Sequence, residues 1–165
     1  MLVAGVTRAD GIAVRDARLI AEGDGFALNA DFGVTLTARL ENALNMGVAL
    51  YFTMEFECTR PRWYWLDEPV ASVSRATRLS YHVLTRTYRL SAGTLHQSFP
   101  TLNEALHVLG QARRWHVLGK DQLRPDTKYV VQVRMRLDVS QLPKPFQVSA
   151  LANRDWTLLS NWARW

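Results

Sequence analysis

Strict alternation is the feature that most constrains this chain. Val48, Leu50, Phe52, Met54, Phe56 and Cys58 take every second position, with Tyr51, Thr53, Glu55 and Glu57 between them. A period of two sends successive side chains to opposite faces, so the run reads as a strand with one dry and one wet face. Residues 128–139 repeat the pattern. Tyr129, Val131, Val133, Met135, Leu137 and Val139 face inward, and Lys128, Gln132, Arg134, Arg136 and Asp138 face outward. In residues 26–34, Phe26, Leu28, Ala30, Phe32 and Val34 share a face. Residues 12–20 are less regular: Ile12, Val14 and Ile20 mark one phase, and Asp16 and Arg18 break it.

Further strands are expected at 70–80, 81–91, 94–99, 115–118, 146–151 and 156–159. Gly23-Asp24-Gly25 and Ala92-Gly93 supply hairpin turns. Leu142-Pro143-Lys144-Pro145 interrupts the ladder, because proline has no amide hydrogen to donate. Two short helices separate the strands. Leu36, Leu40 and Leu44 recur every four residues, with Gly47 as the stop. Thr101 and Glu104 form a capping box ahead of Leu102, Ala105, Leu106 and Leu109, and Gly110 ends that helix. The pattern predicts a mainly β fold, an immunoglobulin-like antiparallel β-sandwich with two short α-helices. One domain is expected over residues 11–165, preceded by an arm or leader remnant at 1–10. Thr7 and Ala9 have the spacing of a signal-peptidase site, which suits a trimmed export precursor.

A chain of 165 residues can bury roughly 70% of its unfolded surface, so its core needs no disulfide or metal. The single cysteine, Cys58, lies on the apolar phase of its strand and reads as a buried thiol. No apolar run reaches the roughly 18 residues a membrane-spanning helix needs. The net charge of +5 is uneven. Residues 1–59 balance to −4 and residues 60–165 to +9, and 17 of the 20 basic residues are arginine. Such a surface either pairs with nearby acids or steers an anionic partner.

The search for reaction chemistry is short. There is no Gly-x-Ser-x-Gly, no Gly-rich phosphate loop and no His-Glu-x-x-His. No catalytic residue, metal ligand or cofactor site is expected. His82 and His96 could meet across a hairpin at Gly93. Glu55 and Glu57 share a strand face roughly 7 Å apart. That spacing suits paired-carboxylate hydrolysis, a hard cation, or simple cross-strand pairing with Arg86 or Arg134.

The segment Arg60-Pro61-Arg62-Trp63-Tyr64-Trp65, ahead of Asp67-Glu68, is the strongest recognition candidate. Continued as a strand, it would place Arg60, Arg62 and Tyr64 on one face and Trp63 and Trp65 on the other. Either the tryptophans pack into the core while the arginines pair with Asp67 and Glu68, or the segment is a contact surface. Arg134 and Arg136 would extend that surface if their strand lay adjacent. A second aromatic cluster, Trp156, Trp162 and Trp165 with Arg154 and Arg164, is expected to dock on the body.

Several phrases together carry a family likeness. They are Gly47–Phe52, Arg60–Trp65, Arg78-Leu79-Ser80-Tyr81, Leu84–Leu90, Arg134–Asp138, Leu142–Gln147, Asp155-Trp156 and Trp162. The chain resembles the bacterial family called domain of unknown function 4390 over about residues 12–165. The resemblance brings no activity and no catalytic residues. It implies an exported protein, encoded beside a sensor kinase and response regulator.

The expectation is therefore a non-enzymatic periplasmic or envelope module that binds a protein partner, such as the extracytoplasmic part of a sensor kinase. Arg60, Arg62, Trp63, Tyr64, Trp65, Arg134 and Arg136 would form its contact face. Binding of an anionic lipid or glycan is the second reading. A hydrolase and a nucleic-acid binder come behind it.

Overall fold

The computed structural model describes residues 7–9, 11–152, 158–160 and 163–164. The strands, in chain order, are β1 (Thr7–Ala9), β2 (Ile12–Glu22), β3 (Gly25–Val34), β4 (Leu50–Arg60), β5 (Glu68–His82), β6 (Thr87–Ala92), β7 (Leu95–Phe99), β8 (Gln111–Gly119), β9 (Val130–Leu137) and β10 (Ala163–Arg164). The helices are α1 (Ala38–Asn45), α2 (Leu102–Leu109) and α3 (Lys144–Ala152). Single 3-10 turns occur at Lys120–Gln122 and Val139–Gln141.

Two antiparallel sheets result, one ordered β1-β2-β3-β8 and the other β10-β9-β4-β5-β6-β7. The alternation of β4 accounts for its central place. Leu50, Phe52, Met54, Phe56 and Cys58 are all buried, with β5 on one side and β9 on the other. Val131, Val133, Met135 and Leu137 continue that inner face on β9. Leu28, Ala30 and Phe32 of β3, with Ile12, Val14 and Ala17 of β2, supply the facing half of the same core.

The irregular phase of residues 12–20 has a local cause. Register passes from Val14↔Phe32 to Asp16↔Asp31, so Arg15 is an extra residue, a β-bulge. Beyond it the inward phase moves to Ala17, which is buried, and Ile20 turns outward. Ile20 therefore does not share the face of Ile12 and Val14.

Residues 70–91 do not split at 80/81. One strand runs to His82, and the turn is Val83-Leu84-Thr85-Arg86, with Arg86 at φ 54°. The Gly23-Asp24 and Gly93-Thr94 turns stand where the glycines place them.

Both expected helices form. Thr37 Oγ1 accepts from the Leu40 amide and Thr101 Oγ1 from the Glu104 amide, each at 3.3 Å, so each helix gains an N-cap. Leu40, Ala43 and Leu44 of α1 and Ala105, Leu106 and Leu109 of α2 are buried.

The third helix corrects the strand expected at 146–151, and with it the count of two helices. Pro143 and Pro145 stand where a first turn has no use for its amide hydrogens, so they start a helix as readily as they stop a strand. The Pro143 carbonyl accepts from the Phe146 and Gln147 amides at 2.9 and 3.2 Å. Phe146 and Ala150, four apart, pack on the core, and Val148 and Leu151 face solvent.

Of the tail, residues 158–160 dock. Leu158 is buried, its carbonyl accepts from the Leu137 amide at 2.9 Å, and Ser160 exchanges bonds with Met135. Leu159 bridges to both Gly11 and Arg136, tying the start of one sheet to the edge of the other. Trp156, Trp162 and Trp165 lie outside the described residues, as do residues 1–6 of the expected leader remnant; Thr7–Ala9 pair with β2.

Candidate functional site

The β4–β5 ladder ends at the pair Arg60↔Glu68, whose side chains form an ion pair. Pro61 follows directly and has no amide hydrogen with which to extend the ladder. The chain leaves the sheet there, and residues 61–67 form the connecting loop. Within it, Arg62 Nε donates to the Leu66 carbonyl at 2.8 Å and closes the loop on itself. Trp63 and Tyr64 meet edge to face, with centroids 5.4 Å apart and planes at 77°.

The aromatics do not enter the core. Trp63 is 96% exposed, Leu66 77%, Trp65 70% and Tyr64 64%. The two-faced strand expected for Arg60–Trp65 is thus replaced by a loop that turns four large side chains to solvent. Pairing of an arginine with Glu68 does occur, but it fixes the base of the loop rather than burying its tryptophans. Leu66 belongs to the same surface. It escaped the sequence reading because it carries no polar or aromatic signature, though it directly follows Trp65.

Arg134 and Arg136 lie elsewhere. Register places Arg134 opposite Glu55 and Arg136 opposite Thr53 on the outward face. Glu55 is five residues from Arg60, roughly 17 Å at the rise of a strand. Both guanidiniums engage its carboxylate, Arg134 Nε at 2.6 Å and Arg136 Nε at 2.8 Å. Asp138 stands 3.6 Å from Arg136. Although β9 lies beside β4, the structure does not bring these two arginines to the aromatic loop.

The paired carboxylates are explained by the same network. Glu55 is held by Arg134 and Arg136, and Glu57 accepts from Gln132 Nε2 at 2.8 Å. Arg134 is the cross-strand partner; Arg86 sits in the β5–β6 turn. Among the described residues, no three His, Cys, Asp or Glu side chains gather as metal ligands.

Burial of the Glu55 carboxylate raises its pKa, but the two arginine hydrogen bonds outweigh this and hold it below the ordinary value of 4.5. A carboxylate with a depressed folded pKa stabilises the fold above its unfolded pKa. That contribution is lost as pH falls from about 4.5 through the lower folded value. Glu55→Gln is therefore expected to cost about 2 kcal/mol at pH 7, less than a fully buried pair because the carboxylate is partly wet. The deficit relative to wild type should shrink as pH falls below about 4.5 and wild-type Glu55 takes up its proton. Urea melts of both proteins at several pH values check this. A deficit independent of pH would mean the cluster acts by shape alone.

His82 and His96 do not meet. His82 lies beside Thr87 at the start of β6 and His96 beside Ser91 near its end. They bond to Thr85 Oγ1 at 3.1 Å and Ser91 Oγ at 2.9 Å respectively. Cys58 is buried, and burial pushes its thiol pKa up, away from nucleophilic reactivity.

Arg75, like Leu66, carries no signal of its own in the sequence that marks it out. It lies on the inward phase of β5, and only a count by twos from Leu79 would have marked it.

The comparisons with known proteins bear on the whole chain. A family model described as Domain of unknown function (DUF4390) matches residues 9–165. No curated protein and no solved structure matches.

Proposed function

Because the chain belongs to the family described as Domain of unknown function (DUF4390), a description that names no activity, we propose a function from the surface itself: a non-enzymatic module that binds a protein partner through the β4–β5 loop. The observation that carries this reading is the exposure of Trp63, Tyr64, Trp65 and Leu66 together on one short loop. Exposed apolar residues scattered singly need no explanation, but a contiguous group does. Tryptophan, tyrosine and arginine are also the residues that dominate interface energetics.

The loop is held in shape before any partner arrives. The Arg60–Glu68 pair, the Arg62–Leu66 bond and the Trp63–Tyr64 contact restrict its conformations, which lowers the ordering cost of binding. In this reading the body is an immunoglobulin-like scaffold with recognition placed at the end of one sheet. The module works in the periplasm or on the envelope face of a membrane, and the extracytoplasmic part of a sensor kinase is the first partner to test. Asp67 and Glu68 balance Arg60 and Arg62, so the loop offers an anionic bilayer no net positive charge and lipid stands second.

The test compares wild type with Trp63→Ala/Trp65→Ala in cross-linked pull-down from the host envelope, followed by affinity measurement on the captured protein. Two interface tryptophans at about 2 kcal/mol each predict a loss of roughly 1,000-fold. The melting temperature should stay within about 2 °C of wild type, because neither side chain is buried. Saturable, salt-sensitive binding to anionic vesicles, lost in the double variant, would move the lipid reading ahead. Full retention of every partner by the variant overturns the loop as a contact surface.

A further inference from the structure

Arg75 stands where β5 calls for an apolar residue. It shares the inward phase with Leu79, Thr77, Val73 and Ala71, and it lies opposite Met54 in the ladder. Two contacts hold its head group between the sheets. The guanidinium lies over Trp115, 5.2 Å from the ring centroid, and Nη2 donates to the Gln111 carbonyl at 3.2 Å. A guanidinium has five N–H donors, so this leaves most of its fork unspent. Burial lowers its pKa, and no carboxylate among the described residues acts on it. Arg75 is half-buried, so its remaining N–H groups can be reached from the space beside it.

The head group borders a cavity of about 520 Å³. Leu90, Leu95, Val108 and Leu109 line it, with Thr77 and Gln97. The cavity follows from the unequal sheets. The six-stranded sheet outreaches the four-stranded one, so α2, rather than a strand, packs over β6 and β7. Small-molecule sites are typically apolar hollows of about 300–1,000 Å³ with a few placed polar groups, and this one falls in that range.

We propose that this cavity binds a small amphiphilic carboxylate, its carboxylate paired with Arg75 and its apolar body lying along Leu90, Leu95, Val108 and Leu109. A planar guanidinium matches a carboxylate in two parallel hydrogen bonds, and the Trp115 ring backs the head group. Arg75 is the one arginine or lysine among the lining residues, which suits a single negative charge better than a phosphate dianion. The site is on the inner face of β5–β7 and does not depend on the aromatic loop.

Calorimetric titration of the full chain with decanoate, below its micelle-forming concentration, tests the proposal. Decan-1-ol and decylammonium are the comparison probes. Decanoate should bind saturably and at least about tenfold more tightly than decanol, with decylammonium weakest. Arg75→Met should erase the preference for decanoate over decanol, and Val108→Phe, which fills the cavity, should weaken both. Trp63→Ala/Trp65→Ala should leave decanoate binding unchanged, which separates this site from the loop. Equal binding of decanoate and decanol by wild type overturns the proposal, as does the absence of saturable binding. If Arg75→Met fails to fold, the wild-type preference and the Val108→Phe result still decide it.

Discussion

Phe56→Ala is expected to cost roughly 3–5 kcal/mol of folding stability. The side chain is completely buried at the middle of β4, between Val73 of β5 and Val133 of β9. Ladder bonds on both sides prevent β4 from collapsing into the space left behind, so the cavity term adds to the lost transfer term. For a domain of this size each kcal/mol moves the melting temperature by about 2–4 °C, so a fall of roughly 6–20 °C is expected. Urea unfolding with an unchanged slope and a lowered midpoint would confirm a loss of stability rather than a change of state. A cost below about 1 kcal/mol would mean that the two sheets are not tightly packed at this point.

Gly110→Ala should also destabilise the fold, by less than Phe56→Ala but against the direction that backbone propensity suggests. Gly110 closes α2 at φ −75°, a conformation any residue adopts. Alanine at such a position normally stabilises by about 0.4–1 kcal/mol by limiting the unfolded chain. Here the Phe32 amide donates to the Gly110 carbonyl at 2.7 Å, and an added Cβ would overlap the Phe32 carbonyl oxygen. Both groups are backbone, so neither can rotate away. Either β3 or the α2–β8 junction must shift, and Phe32 itself is core. Overpacking of this kind costs about 1–3 kcal/mol, and a rigid backbone contact belongs at the upper end. Net destabilisation of about 2 kcal/mol is expected by urea melt. A gain in stability would show that the junction relaxes freely.

Much of this fold is legible in the residues because burial on one face writes a period of two. The β4 and β9 runs state their own inward faces, and Thr101 with Glu104 states the start of α2. Legibility fails where an element obeys a different local rule. Arg15 adds one residue to β2 and inverts the phase beyond it, an event with no composition of its own. The Pro143-Lys144-Pro145 segment breaks a ladder and opens a helix with the same missing amide hydrogens. Phe146 and Ala150 needed a spacing of four, not two, to be read correctly.

The candidate site divides in the same way. Residues 60–65 were recognisable from arginine and aromatic content, but their exposure was not, because alternation continued past Pro61 suggests a buried face. Arg134 and Arg136 carried the same chemical signature as Arg60 and Arg62. Only register shows that Glu55 holds them both. Sequence describes what a guanidinium can grip, and pairing across strands decides what it does grip.

The loop's internal closure has a consequence for how such a protein can be altered. Its fixed contacts are with itself: Arg62 with Leu66, Trp63 with Tyr64, and Arg60 with Glu68 at its base. The core residues of β4 and β9 answer to a different requirement altogether. The stability of the body and the shape of the loop therefore rest on separate sets of positions. The loop could be rebuilt at residues 61–67 without disturbing a contact inside either sheet, and the sheets repacked without loosening the loop.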